Sequence, residues 1–486
     1  MMKTRKLRFS YRSRKRKMEE RKCVPAPEQE EERNKVGARS RADSIAVRPL
    51  LRTLVFLAFP TIVEEVLATL LQYVDTAMVG RLGEQATASV SITTNVTWLV
   101  NSVPGAIGTA VLVLISKALG AGDERQVRRL SQQALFLAVL FGLLLSVVSI
   151  MLSPYIPVWM GAEEAIQEEA SRYFFLISLP LVFRCVSSVL GAALRAVRNT
   201  KTPMLISMAA NGVNIVLNYL LIYTADLGVA GAALSSAISY VLSGVLMLAA
   251  CRRNHFLTWK WKGFSLDKGL MRECAAVGTP VLGASVVSCL GYVVFAGLVS
   301  GMGTTVFAAH SIAVTAETIF YVPGYGLRSA ASTLISSARG EGNRERLRKT
   351  GVLSVLLTIG IMCVSGMLLY LGAHPLMRLF SPVAEVVNLG AEMLRLVALS
   401  EPFFGFMVVL EGIFYGLGRT RYSFFVETAG MWGVRILLTF LCVRFWELGL
   451  RAVWYCMIAD NVVKALLFAV PALRFLFPGK PRSEKA

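Results

Sequence analysis

Twelve apolar stretches recur along this 486-residue chain. Each is long enough to cross the roughly 30 Å hydrocarbon core of a bilayer as a helix. Hydrocarbon offers a peptide group no hydrogen-bond partner, so only helices or a closed barrel can span it. The stretches are continuous rather than alternating, which excludes the barrel. Composition agrees, with 55% of residues hydrophobic against the roughly 45–50% usual for soluble domains. Helices are expected near 50–79, 85–115, 130–153, 165–194, 202–224, 229–251, 272–301, 305–335, 350–373, 388–415, 424–444 and 450–474.

The formal charge of +20 resembles a nucleic-acid signal until its distribution is read. Sixteen of the 51 Lys and Arg residues precede Pro49, and most others fall in alternate loops. Twenty on one set of loops face four on the other (Arg81, Arg378, Arg444 and Arg451). Basic loops stay cytosolic, so both termini are expected inside a multi-pass cell (inner) membrane protein. No aromatic-basic binding module accompanies the charge, and no nucleic-acid partner is expected. Residues 1–48 lack an apolar core of signal-peptide type and read as a basic, disordered cytosolic tail. Met18 is an alternative start that would remove its most basic part. Eight dispersed cysteines and three dispersed histidines offer no metal spacing.

The chain repeats itself. Pro60, Pro104 and Pro180 recur as Pro280, Pro323 and Pro402, at offsets of 220, 219 and 222. Gly120-Ala121-Gly122-Asp123 answers Gly340-Glu341-Gly342-Asn343, and Leu227-Gly228 answers Leu448-Gly449. Six spans per half make the repeats parallel, related by an axis along the membrane normal. The expected fold is all-α: 12 transmembrane helices in two pseudo-symmetric six-helix bundles. Its parts are a tail (1–48), an N-terminal lobe (49–251), a cytosolic linker (252–271), a C-terminal lobe (272–474) and a second tail (475–486). Two such halves rocking about one cleft would give alternating access.

Ionisable groups inside spans are costly, so each demands a reason. Asp75 lies near the end of the first helix. Glu64 lies on nearly the same face about three turns deeper, and Glu65 is turned away. Asn211, Asn214 and Asn218 form one amide stripe on the fifth helix, able to ligate a cation or to join helices. Ser236 on the sixth helix can complete that site. The second half carries Glu317, Glu411, Glu427, Arg435, Asp460 and Lys464. Asp460 and Lys464, at i and i+4, are expected to neutralise each other. Arg435 is expected to pair with Glu411 or Glu427, leaving Glu317 without a partner. Tyr73, Trp98, Tyr292, Phe320 and Tyr321 can line a cavity for flat cations.

Several motifs resemble the multidrug and toxic compound extrusion (MATE) family. They include Val74-Asp75-Thr76-Ala77-Met78-Val79-Gly80-Arg81, Asn214-Ile215-Val216-Leu217-Asn218, Ala308-Ala309-His310 and Glu411-Gly412 before Gly416-Leu417-Gly418-Arg419. The likeness covers about residues 50–474. It implies a monomeric antiporter expelling small organic, often cationic, compounds against H+ or Na+, without a cofactor and without enzyme activity. Asp75 and Asn214 match the family's binding residues, while Asn218 stands where a carboxylate is common. The sodium-binding acids of NorM-like members correspond to Ser288 and Phe404, which points to a DinF-like site centred on Asp75. The cation and substrate site is accordingly expected at Asp75, Asn211, Asn214, Asn218 and Ser236, with Glu64, Tyr73, Glu317 and Glu411 as secondary candidates. The alternatives are a flippase for lipid-linked sugars and a membrane-embedded enzyme. No D-D-x-x-D, H-E-x-x-H, G-x-S-x-G or P-loop motif supports the latter.

Overall fold

The computed structural model describes residues 46–257, 259 and 266–476. The expected tails therefore lie almost wholly outside the described residues, as does the middle of the linker. Two units divide at Arg52; beyond the start of the first helix, the packing described below is that of the second, from Thr53 onward. Among the described residues the fold is entirely helical. Ten helices are individually long and apolar enough to span a membrane, and two bent pairs bring the count to twelve.

The N-terminal half runs α1 (Val47–Gly80), α2 (Glu84–Gly120), α3 (Glu124–Leu152), a bent α4 (Glu164–Ser178 and Leu181–Ala196), α5 (Lys201–Asn218) and α6 (Gly228–Arg253). A π-helical turn, Tyr219–Thr224, extends α5. The C-terminal half repeats the order as α7 (Lys268–Ser300), α8 (Thr304–Gly340), α9 (Arg344–Phe380), a bent α10 (Ala384–Ala398 and Glu401–Gly416), α11 and α12 (Leu450–Leu476). α11 joins Thr420–Thr428 and Leu437–Arg444 through a π-helical stretch, Ala429–Ile436.

Two expectations need correcting. The spans at 165–194 and 388–415 are broken, by 49° and 54°, rather than continuous. Pro180 and Pro402 flank the breaks; each lacks the amide hydrogen that would continue the ladder. The other repeated prolines sit inside unbroken helices. α3 and α9 also begin six residues earlier than expected, at Glu124 and Arg344. The basic stretches read as loops are their first turns. Asp123 caps α3 by accepting from the Gln126 amide, and Asn343 caps α9 through the Arg346 amide, each at 2.9 Å. Such caps satisfy amides that a helix start leaves orphaned.

The duplication extends to single hydrogen bonds. The Ser116 hydroxyl donates to the Ala196 carbonyl at 3.3 Å, and its repeat, Ser336, donates to the Gly416 carbonyl at 3.2 Å. Between the halves, α1 packs along α8 and α2 along α7. Leu54, Leu57 and Ala58 bury themselves against Leu327, Ala330 and Leu334. The Thr61 hydroxyl donates to the Gly326 carbonyl at 3.1 Å. Near their C-terminal ends α2 and α8 meet backbone to backbone. A Cβ at Gly120 would overlap the Ser337 carbonyl, and one at Gly340 would overlap the Lys117 carbonyl. Both contacts are one contact seen from either repeat, since 117 and 337 differ by 220, as do 120 and 340. Arg198 closes over this junction, donating to the Ser337 hydroxyl at 2.9 Å and lying 3.9 Å from Glu341.

Gly340→Val should force the two backbones apart at a cost of about 1–3 kcal/mol, typical of overpacking. Thermal melting of the purified protein in detergent reads this. An unchanged midpoint in both Gly340→Val and Gly120→Val would remove the close approach from what the fold requires.

Candidate functional site

Each half contains a polar cavity. The first, about 270 Å³, is lined by residues of α1, α4, α5 and α6, including Glu64, Asp75, Asn211, Asn214 and Ser236. Asn218, beside this wall, is 1% exposed and organises it. Its amide nitrogen donates to the Asp75 carboxylate at 2.5 Å and to the Asn214 carbonyl oxygen at 3.0 Å. The Ser235 hydroxyl donates to the Asn218 carbonyl oxygen. The Asn214 amide in turn donates to the Ser236 hydroxyl at 3.3 Å. A chain of directed dipoles therefore ends on one carboxylate. The π-helical turn starts at the next residue, Tyr219, and π turns recur at functional sites.

Sequence periodicity brings most of this together, with three amendments. Ser235, adjacent to the expected Ser236, makes the contact to Asn218. Glu64 shares the cavity with Asp75, but it pairs with Arg195 at 3.0 Å and accepts from the Ser207 hydroxyl at 3.0 Å. Glu65, expected to turn away, lines the same cavity. Arg184 was not anticipated; it donates to the Tyr240 hydroxyl at 2.9 Å and lies 4.4 Å from that ring's centroid. Its position within an apolar span was the available signal. Tyr73 does not line the cavity; its hydroxyl donates to the Thr315 carbonyl across the two halves.

The second cavity is larger, about 690 Å³, and lies mainly in the C-terminal half, with α2 contributing Asn95 and Trp98. Trp98, Tyr292 and Tyr321 line it as expected, while Phe320 does not. Most of its charges form ion pairs. Lys464 bridges Glu427 at 2.9 Å and Asp460 at 3.2 Å. Arg435 pairs with Asp460 at 2.9 Å, not with Glu411 or Glu427. Glu411 instead takes Arg328 at 2.7 Å and accepts from the Tyr415 hydroxyl at 2.5 Å. The reason lies in α11, whose π-helical stretch contains Arg435 and changes the register from which its side chains project. Gly430 in that stretch has no room for a Cβ beside Asp460 and Lys464, so the α12 pair packs on bare α11 backbone. His310 and Glu317 both line this cavity, as their i, i+7 spacing implies.

Twelve spans in two repeated bundles, each holding a polar cavity, define a polytopic membrane carrier. The MatE family model matches residues 60–220 and again residues 280–441, one match per repeat. The chain belongs to the MatE family and is a multi-span membrane transporter. Among curated relatives it is 28% identical to a probable multidrug resistance protein NorM of Thermotoga maritima, over 89% of this chain and 94% of that protein. It is 24% identical to the multidrug resistance protein NorM of Burkholderia vietnamiensis, over 85% and 91% of the two chains. Among solved structures it resembles an outward-facing multidrug resistance MATE family transporter at 21% identity, with a TM-score of 0.84, over 88% of this chain and 96% of that one. A Vibrio cholerae MATE transporter gives a TM-score of 0.83 at 18% identity, over 89% and 99%. The NorM names among the relatives do not support the DinF-like subdivision expected from the sequence.

Lys464→Ala would strand Glu427 in the bundle and leave Asp460 to Arg435 alone. Breaking a buried pair this way costs about 3–5 kcal/mol, so the yield of monodisperse protein should fall severalfold. Undiminished yield and melting midpoint would show that the bridge carries no structural weight.

Proposed function

We propose that this transporter is a secondary active efflux antiporter that exports organic, often cationic, compounds in exchange for protons or sodium ions. The observation that carries the reading is the Asp75 carboxylate, which faces a cavity and accepts from the Asn218 amide, itself held by the Ser235 hydroxyl and by Asn214. One carboxylate can hold either a coupling ion or a cationic substrate, and competition between them is the simplest basis of exchange. The relatives' designation as multidrug resistance proteins supports the same substrate class. Asp75, Asn211, Asn214, Asn218 and Ser236 form the proposed site, and no cofactor takes part.

Alternating access by rocking is part of the proposal. The halves meet in matched pairs, α1 on α8 and α2 on α7, and the Gly120–Gly340 junction must part when access changes sides. By the asymmetry of basic loops this junction faces the cytosol, with both termini inside the inner membrane. The lobes at 49–251 and 272–474 act as the rocking bodies, and a monomer suffices. A lipid-linked-sugar flippase is disfavoured by the second cavity. There Arg328, Arg435 and Lys464 each have an acid partner, so among the described residues of this cavity no Lys or Arg is left free for pyrophosphate.

Ethidium efflux from proteoliposomes, under a proton or a sodium gradient imposed separately, tests the proposal. One gradient should drive export, and Asp75→Asn should reduce it at least tenfold while the protein still inserts and folds. Normal export by a well-folded Asp75→Asn protein removes Asp75 from the mechanism. Absence of export under both gradients favours a narrow metabolite carrier or a flippase.

A further inference from the structure

The N-terminal cavity holds a cation that no ion pair accounts for. Arg184 stands near the middle of a bent span, in the second arm of α4 just past the 49° break. It is half-buried and lines the 270 Å³ cavity. A guanidinium at that depth is costly, so it demands a partner. Among the described residues no carboxylate lies within ion-pair distance of it: Glu64 takes Arg195, and Asp75 accepts from Asn218. What does hold Arg184 is neutral. One of its terminal nitrogens donates to the Tyr240 hydroxyl at 2.9 Å, and its guanidinium carbon lies 4.4 Å from the centroid of that ring. A phenol and a ring face fix the group without neutralising it. The bond to Tyr240 uses one of the five N–H donors that a guanidinium carries.

One turn further along both helices lies a second rung. The Ser187 and Ser243 hydroxyl oxygens are 2.6 Å apart, and both residues line the cavity. Arg184–Tyr240 and Ser187–Ser243 share one separation, 56 residues, so α4 and α6 run parallel and in step. Gly244 permits this: a Cβ there would overlap the Phe183 carbonyl, so the two backbones touch. Whichever serine donates to the other, the acceptor's own hydroxyl hydrogen remains for a further partner. A fixed guanidinium fork with hydroxyl donors one turn away is a donor set suited to carboxylates, sulfonates and phosphates. Neither rung belongs to the duplicated framework. At the 222-residue offset of Pro180 and Pro402, Arg184 corresponds to Phe406 and Ser187 to Val409. At the 221-residue offset of Gly228 and Gly449, Tyr240 corresponds to Asn461 and Ser243 to Lys464. Packing common to both halves therefore does not require a cation here.

We infer that Arg184, with Ser187 and Ser243, receives an acidic group carried by the exported compound. The N-terminal cavity then has two poles: the Asp75 and Glu65 carboxylates for a cationic group, and Arg184 for a carboxylate or an equivalent oxyanion. Amphoteric compounds bearing both groups fit it better than purely cationic ones of the same size. Arg184 is thus a specificity-determining residue of the proposed site, and its assignment rests on the efflux reading only for the direction of travel.

Tetramethylrhodamine, which its free carboxylate makes amphoteric, and its methyl ester, a cation of nearly the same shape, read the difference. Fluorescence anisotropy with the full-length protein in phosphatidylcholine nanodiscs, corrected for empty discs, gives both affinities. Wild type should bind the free acid about tenfold tighter than the ester, the scale of one charge-assisted contact. Arg184→Gln should abolish that preference and leave ester binding within about twofold of wild type. Equal binding of the two dyes by wild type, or a preference that survives in Arg184→Gln, overturns the assignment. Should Arg184→Gln fail to fold, Ser243→Ala decides. A severalfold loss for the free acid alone supports the site, while no change or an equal loss for both dyes contradicts it. A lipid phosphate is the other oxyanion that a membrane cavity can meet. Phosphatidylglycerol retained by wild type and released by Arg184→Gln, read by native mass spectrometry, would assign the guanidinium to a headgroup and overturn its role in substrate choice. Binding needs no gradient, so selective binding without ethidium export would sink the antiport reading and spare this assignment. Ethidium export with no preference between the dyes does the reverse.

Discussion

Hydrocarbon gives a peptide group or a charge nothing to bond with, and every feature of this chain follows from where that need is met. Backbone amides are met within helices, which is why the described residues hold no strand. At Pro180 and Pro402 the missing amide accompanies a break that becomes a bend, while Pro60, Pro104, Pro280 and Pro323 stay within unbroken helices. Where a helix starts, Asp123 and Asn343 supply the missing acceptor. In-span charges are met by one another, so Lys464, Arg435 and Arg328 are bound to acids in the second half.

Duplication sets the frame within which these needs are satisfied. The Ser116 and Ser336 hydrogen bonds, the two caps and the two glycine contacts are copies of the same local solutions. Their reciprocity at Gly120 and Gly340 brings the two repeats to the same contact from opposite sides. Side chains at such positions are excluded by the partner's backbone, not by helix propensity.

Polar chemistry is where the copies diverge. Asn214 and Arg435 differ by 221 residues, the offset of Gly228 and Gly449, so they occupy equivalent places on α5 and α11. One half fills that place with amides and hydroxyls around a single carboxylate; the other fills it with an arginine in an ion-pair ladder. The π-helical segments follow the same asymmetry, after Asn218 in one half and around Arg435 in the other. A carrier with two unlike cavities can bind unlike species in each.

The sequence alone determined the spans, the duplication and the face shared by Asn211, Asn214 and Asn218, because apolar length, repeat offset and helical period are local properties. It also determined the Asp460–Lys464 contact, which follows from i, i+4 spacing on one helix. Only the tertiary structure decided partners across helices. Arg435 chose Asp460, Arg328 took Glu411, and Glu64 took Arg195. Distances between helices depend on bends, π turns and glycine contacts that shift register by fractions of a turn. No periodicity along one helix encodes which residue of another it will meet.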